Sequence, residues 1–470
     1  MDFPRRIYPL DPRKLTEEQI AVVFAMTSRD PRPFDEIAQV VTAEKAADFH
    51  ERWVVGYGHA SVAEHAILHM AVENISRLAC DTLEDNRLAS YTEKSSRYQV
   101  LEQGCYYTPP ELNRHPALRS LYVKTCDGLF DCYQRLLDGT QAYLGSVNPR
   151  GEGEREGAYN LRIRRESTDV CRFLLPAATL TNVGITMNAR SMEHAISKLL
   201  SSDLSEEQEL GELLKEQSKR ITPTLIKYAD RNDYLVLSRE SLQSQVRETE
   251  VPFTLHSSLS PLHSGDCRAE LAHCDPQAES KLVAALLYRF SPSPYQEIWQ
   301  RVEGMSQKER EEVIRQALER LGPHDIPLRE LEMVDYTFDL VMDYGAYREF
   351  KRHRMQTYLA QPATVDLGYI VPPLILEAGL EGSFRQAMHQ AAEGFHRVSE
   401  AYPRVAEYLV THAHLRRVLS QMNLRECYHL FKLRTSPQAH FTLRRVMQQA
   451  MALAVGRHPL LFKYLQLRAG

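Results

Sequence analysis

Apolar positions recur every three to four residues through 118–137, 206–228, 308–320 and 382–409, the spacing of a single buried helix face. Long amphipathic helices are predicted there. Two shorter runs, 66–72 and 334–342, read instead as strands, and each leads into a helix bearing Arg and Glu. Strands mixed with so much helix predict an α+β fold.

The pattern occurs twice. Near the start, an apolar helix leads into Pro33-Phe-Asp-Glu-Ile37. Far downstream, a helix opening at Ala278 leads into Pro294-Tyr-Gln-Glu-Ile298, so the two prolines are offset by 261. Asp85-Asn-Arg-Leu-Ala-Ser-Tyr91 parallels Arg352-His-Arg-Met-Gln-Thr-Tyr358 at an offset of 267, and Asn188-Ala-Arg-Ser-Met-Glu-His194 parallels Asn423-Leu-Arg-Glu-Cys-Tyr-His429 at 235. Three pairs in the same order point to an old duplication. Between the copies, over 231–277, Ser, Pro and His rise and helical periodicity fades. The predicted organisation is therefore a first domain over 1–230, a linker over 231–277 and a second domain over 278–470.

Composition narrows the class. A chain of 470 residues, 43% hydrophobic and 25% charged, is globular and at ~150 residues per domain holds two or three domains. No apolar stretch approaches the ~18–20 residues that span a bilayer. Residues 1–12 mix acid and base without an apolar core, so no secretion signal is visible and a cytoplasmic protein is expected. Lys and Arg number 57 against 62 Asp and Glu, for a net charge of −5, which argues against a general nucleic-acid or membrane-surface binder but leaves room for a local basic pocket. The cysteines are scattered, so reduced thiols are expected rather than a disulfide framework. His256, His263, Cys267, His273 and Cys274 fall within 19 residues, yet their spacing fits no zinc pattern, and a polar linker is expected rather than a metal site.

Four constellations could carry chemistry. In an extended segment, Glu93, Ser95 and Arg97 would share a face. A carboxylate, a hydroxyl and a guanidinium on one side suit an anion and a polar ring, although spacing alone favours a solvated edge strand with a surface Arg–Glu pair. Arg352, His353 and Arg354 beside Lys351 concentrate donors as a phosphate site does, and equally as a basic helix end does. On one predicted helix, Arg425 and His429 are four apart and Asn423 and Arg434 eleven apart, so each pair aligns along a face that either lines a groove or meets solvent. In Gly58-His-Ala-Ser-Val-Ala-Glu-His65, two histidines six apart are poorly spaced for a shared metal, and Ser61 as N-cap with Glu64 at N3 is the expected arrangement.

Together these segments resemble the flavin-dependent thymidylate synthase family, whose signature reads R-H-R-x-x-S-x-N-E-x-S-x-R-Y. The first copy keeps Arg87, Ser90, Glu93, Ser95, Arg97 and Tyr98 but has Asp85, Asn86 and Thr92 at the first Arg, the His and the Asn. Gly58–His65 looks like the family's G-H-x-S-x-x-E-H, and Arg172-Phe-Leu-Leu-Pro176 like its A-R-x-x-L-P. Asn188 and Arg190 open its N-x-R-x-x-x-N-x-x-x-x-R helix, whose last Arg position is Leu199. The second copy is the converse. Arg352, His353 and Arg354 are intact, but the rest of that motif is lost, and Glu407 falls at the Arg of A-R-x-x-L-P. The helix carries Asn423, Arg425 and Arg434, with His429 for the second Asn.

The resemblance implies two tandem domains of that family, degenerate at complementary places and forming a pseudo-dimer within one chain; two chains would make a homodimer equivalent to a tetramer. It implies FAD-dependent methylation of dUMP to dTMP with methylenetetrahydrofolate and NADPH, at a composite site between the halves. No protein nucleophile is implied, since the flavin N5 carries the transfer. Glu93, Ser95, Arg97, Arg172 and Arg434 would bind the nucleotide. Arg352, His353, Arg354, Asn423, Arg425, His429 and Arg87 would bind FAD. Asp85 and Glu407 would repel phosphates if they faced them. Two other readings stand beside this one: a flavoenzyme for another pyrimidine nucleotide or another one-carbon donor, and an inactive nucleotide-binding or scaffold protein.

Overall fold

The computed structural model describes residues 5–56, 58–249 and 266–468; His256 and His263 lie outside them. The chain forms two compact units. The first is built from Met1–Asp127, Ala177–Thr254 and His396–Tyr408, the second from Gly128–Pro176, Leu255–Phe395 and Leu409–Gly470. Each unit thus draws on both copies of the repeat.

In the first unit, β1 (Ile67–Ser76), β2 (Ala89–Glu93) and β3 (Leu180–Asn188) form an antiparallel sheet in the order β1-β3-β2. Along β3 nearly every second residue is buried, the period of a sheet with one face on the core. Val183, Ile185 and Met187 join Leu68 and Val72 of β1. They pack on Met192, Ile196 and Leu199 of the Ala189–Leu200 helix and on Leu210 and Leu214 of the Ser205–Lys219 helix.

In the second unit, β4 (Arg268–Cys274), β5 (Asp335–Asp343), β6 (Thr357–Ala360) and β7 (Leu415–Asn423) form an antiparallel sheet in the order β4-β5-β7-β6. β5 is buried along most of its length, as a central strand must be. Its Tyr336 and Phe338 reach an aromatic core with Phe431 and Phe462, at ring-centroid distances of 5.7 and 6.5 Å.

The two sheets are entered and left alike. In each unit a strand runs into a short helix, Arg77–Leu83 after β1 and Tyr344–Phe350 after β5. A later strand runs into a second helix, Ala189–Leu200 after β3 and Leu424–Arg434 after β7. All four helices start at a side-chain cap: Ser76, Asp343, Asn188 and Asn423 each accept the N–H three residues on, at 2.9 Å.

The strands expected at 66–72 and 334–342 are β1 and β5. The helix expected at 118–137 lies inside a longer one, Pro116–Val147, and that at 308–320 corresponds to Gln307–Leu318. Two predicted helices are shorter than expected. That over 206–228 stops at Lys219, because Pro223 withholds an N–H and disfavours helical backbone at the residue before it. That over 382–409 stops at Ser399, and Tyr402 before Pro403 is not helical, at φ −138° and ψ 73°. Residues 231–277, read as a linker, hold a 17-residue helix, Asp233–Thr249, and the edge strand β4. Their polar composition hid both elements, since each buries little surface. No helix among the described residues is long and apolar enough to cross a membrane.

Candidate functional site

The Leu424–Arg434 helix organises the second unit's chemistry. Asn423 is its cap: the amide oxygen accepts the Glu426 N–H at 2.9 Å. One face of the helix walls a cavity of about 320 Å³. Asn423, Arg425, His429 and Lys432 line that wall, and Ile326, Met355 and Leu465 supply apolar surface. The expected alignment of Arg425 with His429 is therefore present. Arg425 donates to Pro327 O at 2.9 Å and forms an ion pair with Glu332; Lys432 donates to Pro323 O. Cations beside apolar surface suit a phosphate-bearing ring compound.

Arg434 is not part of the cavity lining. At the helix's far end its Nε donates to His353 Nε2 at 2.8 Å, and its Nη1 lies 3.4 Å from Glu349 Oε2. Glu349 Oε1 in turn lies 4.0 Å from Arg172 Nη2. A carboxylate thus stands between two guanidiniums, one from each copy of the repeat. Arg172 caps the C-terminus of the Glu156–Cys171 helix, where its Nε donates to Asp169 O at 3.2 Å. On its other side, His353 Nδ1 lies 3.2 Å from Glu426 Oε1, with both side chains buried. The His353 and His429 rings are 5.5 Å apart. Burial, foremost, and the charges of Arg434 and His429 lower the His353 pKa; Glu426 opposes them. Helix Tyr344–Phe350 ends just before this turn, which leaves His353 buried and Arg352 and Arg354 exposed on either side. Glu349, Glu426 and Lys432 escaped the sequence reading. Their signals were an acid within a basic run and an acid at the third position of a capped helix.

The remaining predicted residues lie in the first unit. Glu93 closes β2, and its buried carboxylate accepts from Arg77 at 2.8 Å and Thr181 at 3.0 Å. The strand stops there. Ser95 Oγ accepts the Arg97 N–H at 3.3 Å in a turn, so the alternation expected to align Glu93, Ser95 and Arg97 does not extend past Glu93. Arg87 is exposed in a bend before β2. The expected capping box at Ser61 is absent. Ala60–His65 is a 3₁₀ helix starting after His59, with no side-chain cap, because Ser61 already lies within its tight turn. Glu64 instead pairs with Arg190 at 2.5 Å, the counterpart of Glu332 with Arg425. Among the described residues, one group could offer metal ligands, Cys80, Glu84 and Glu93, and its Glu93 already faces Arg77. His273 and Cys274 stand on β4.

Comparison with known proteins shows the family of the chain. A family model described as "Thymidylate synthase complementing protein" matches residues 13–224 and, a second time, 270–460. The chain belongs to this family. A "UPF0159 protein" of Chlamydia muridarum is 31% identical over 88% of this chain and 80% of its own length. A "Flavin-dependent thymidylate synthase" of Clostridium tetani is 26% identical over 45% of this chain and 82% of its own. The family domain thus occurs twice here, as the internal repeat predicted. Among solved structures, the flavin-dependent thymidylate synthase ThyX of Helicobacter pylori, complexed with FAD and dUMP, covers 43% of this chain and 100% of its own, at 16% identity and a TM-score of 0.32.

The two copies of the repeat differ in charge at matched positions. Where the second unit has Glu349, His353 and Arg434, the repeat offsets put Thr82, Asn86 and Leu199 in the first. Thr82 Oγ1 donates to Glu207 at 2.5 Å, Asn86 Nδ2 donates to Leu83 O at 2.8 Å, and Leu199 is core. Glu407, the counterpart of Arg172, is buried and paired with Arg404. Burial raises the Glu207 pKa; Arg404 opposes that shift and Glu407 adds to it. Carboxylates and one neutralised cation make poor surroundings for a phosphate.

Proposed function

We propose that this protein methylates a pyrimidine nucleotide, dUMP to dTMP, with FAD as cofactor and methylenetetrahydrofolate and NADPH as co-substrates. The observation that carries the reading is the pair of guanidiniums, Arg172 and Arg434, gathered on either side of Glu349 in the second unit. Sequence distance gives no reason for them to meet; a shared anion does. Two arginines preset by carboxylates, Arg172 by Asp169 at 3.1 Å as well as by Glu349, can hold a phosphate, or a ring that gains negative charge, without first reorganising.

The cofactor assignment follows the cavity. Its mixture of Arg425, His429 and Lys432 with apolar surface fits part of a flavin nucleotide, and the exposed Arg352 and Arg354 add cations for its phosphates. Bound flavin supplies the redox and one-carbon chemistry, for which no protein nucleophile is required. The chain's own residues bind and orient. His353 holds Arg434, and Asn423 holds the helix that carries Arg425 and His429. Pairing of two chains belongs to the same reading and is checked by mass in solution.

The test is the visible spectrum of the purified protein, titrated with FAD and then with dUMP. A flavin band that shifts on adding dUMP is expected, and Arg172→Ala should abolish the shift while keeping the band. A band indifferent to dUMP would point to another substrate. No band at all would leave a family fold without the family's chemistry.

A further inference from the structure

A guanidinium can donate but never accept. Arg434 Nε stands 2.8 Å from His353 Nε2, so that ring nitrogen must present its lone pair. The imidazole is therefore neutral and carries its proton on Nδ1. Nδ1 lies 3.2 Å from Glu426 Oε1, a buried oxygen that no hydrogen bond otherwise satisfies, in surroundings where Glu426 and His353 are 5% and 4% exposed. Glu426 is itself fixed, since its N–H is held by the Asn423 cap. The His353 backbone is fixed too. Its N–H donates to Phe350 O at 3.1 Å, and Gln356 Nε2 donates to the same oxygen at 3.0 Å. Ser420 of β7 then donates to Gln356 Oε1 at 2.7 Å.

We propose that Glu426 is a positioning residue: its carboxylate holds His353 as the Nδ1–H tautomer, so that Nε2 anchors Arg434 Nε and sets the aim of that guanidinium. The order carboxylate, imidazole, guanidinium fixes the plane of Arg434, whose Nη1 donates to Glu349 Oε2 and whose Nη2 donates to Glu349 O, each at 3.4 Å. Glu426 touches no reacting atom and acts only through the ring. The inference rests on the reading of Arg434 as a nucleotide-binding group.

Histidine nitrogen-15 spectra of the full chain, with His353 identified by its loss in His353→Gln, test this without turnover. Wild type should show an unprotonated Nε2 and a slowly exchanging proton on Nδ1. Glu426→Leu should lose that slow exchange and lower kcat/KM for dUMP on the order of 100-fold, the cost of a misaimed group. Glu426→Gln keeps an oxygen to accept the Nδ1 proton and should retain both the signal and most of kcat/KM. A protonated Nε2 in wild type, or a Leu variant with the wild-type His353 spectrum, would overturn the proposal. Should the Leu variant not fold, the wild-type Nδ1 proton decides: a resonance no further downfield than an imidazole N–H without a carboxylate acceptor would overturn the proposal. A wild type that binds no dUMP would sink the functional reading instead, and the spectra would still judge Glu426.

Discussion

Glu206 shows how much a single buried carboxyl can report. It accepts from Ser76 N at 2.7 Å, Ser76 Oγ at 2.6 Å and Tyr408 Oη at 2.8 Å, yet burial still pushes its pKa up from 4.5 to about 7. The folded chain then holds a proton that the unfolded chain has released between those values. Stability should therefore fall as pH rises from about 4.5 to 7. Urea midpoints at pH 5 and pH 8 check this: Glu206→Gln should shrink the drop, and an equal drop in variant and wild type would refute the assignment. Glu207 keeps part of the slope, because burial raises its pKa as well. At this scale the sequence was legible where chemistry follows a motif. Arg172, His353 and Arg434 could be picked out, and they gather in one unit. It was illegible where a residue's role depends on what it meets. Glu93 looked like a ligand-reading carboxylate and faces Arg77 in the interior, while Glu349 and Glu426 carry no motif of their own.

The unit that repeats at the next scale is a strand ending in a capped helix. Asn188 and Asn423 occupy the same place after β3 and β7, and both hold the third N–H of the following helix. Asn423 was read from sequence as lining a cofactor groove; it stands on the wall of a cavity and caps the helix. Asn423→Ala should therefore cost about 1 kcal/mol of stability, whether or not flavin is present, whereas Asn423→Asp should cost little. Thermal melts of the flavin-free protein distinguish the two; an Ala variant as stable as wild type would mean that the cap contributes nothing. Helix interiors and central strands were legible because periodicity records burial. Elements that bury little were not. β4 and the Asp233–Thr249 helix vanish into a polar stretch, and Pro223 and Pro403 end helices that apolar spacing alone would continue.

For the whole molecule, the two family domains predict unequal occupancy. The second unit gathers Arg172, Arg434 and His353, while the first has Glu407 paired with Arg404 and a leucine at the matching helix end. Calorimetric titration with dUMP in the presence of FAD should saturate at one nucleotide per chain, and a value of two would show that the first unit's carboxylates have not closed its copy. The duplication was legible because three matched segments recur in the same order, but the exchange of segments between units was not, since no local pattern records which body a segment joins. That exchange has an evolutionary consequence. Residues 128–176 contribute to the second unit and His396–Tyr408 to the first, so neither half of the repeat holds all of one unit. Once each copy had come to rely on a piece of the other, a deletion that returned the gene to single length would strip both units. A change at one binding site would leave both units whole; loss of the half that carries it would not.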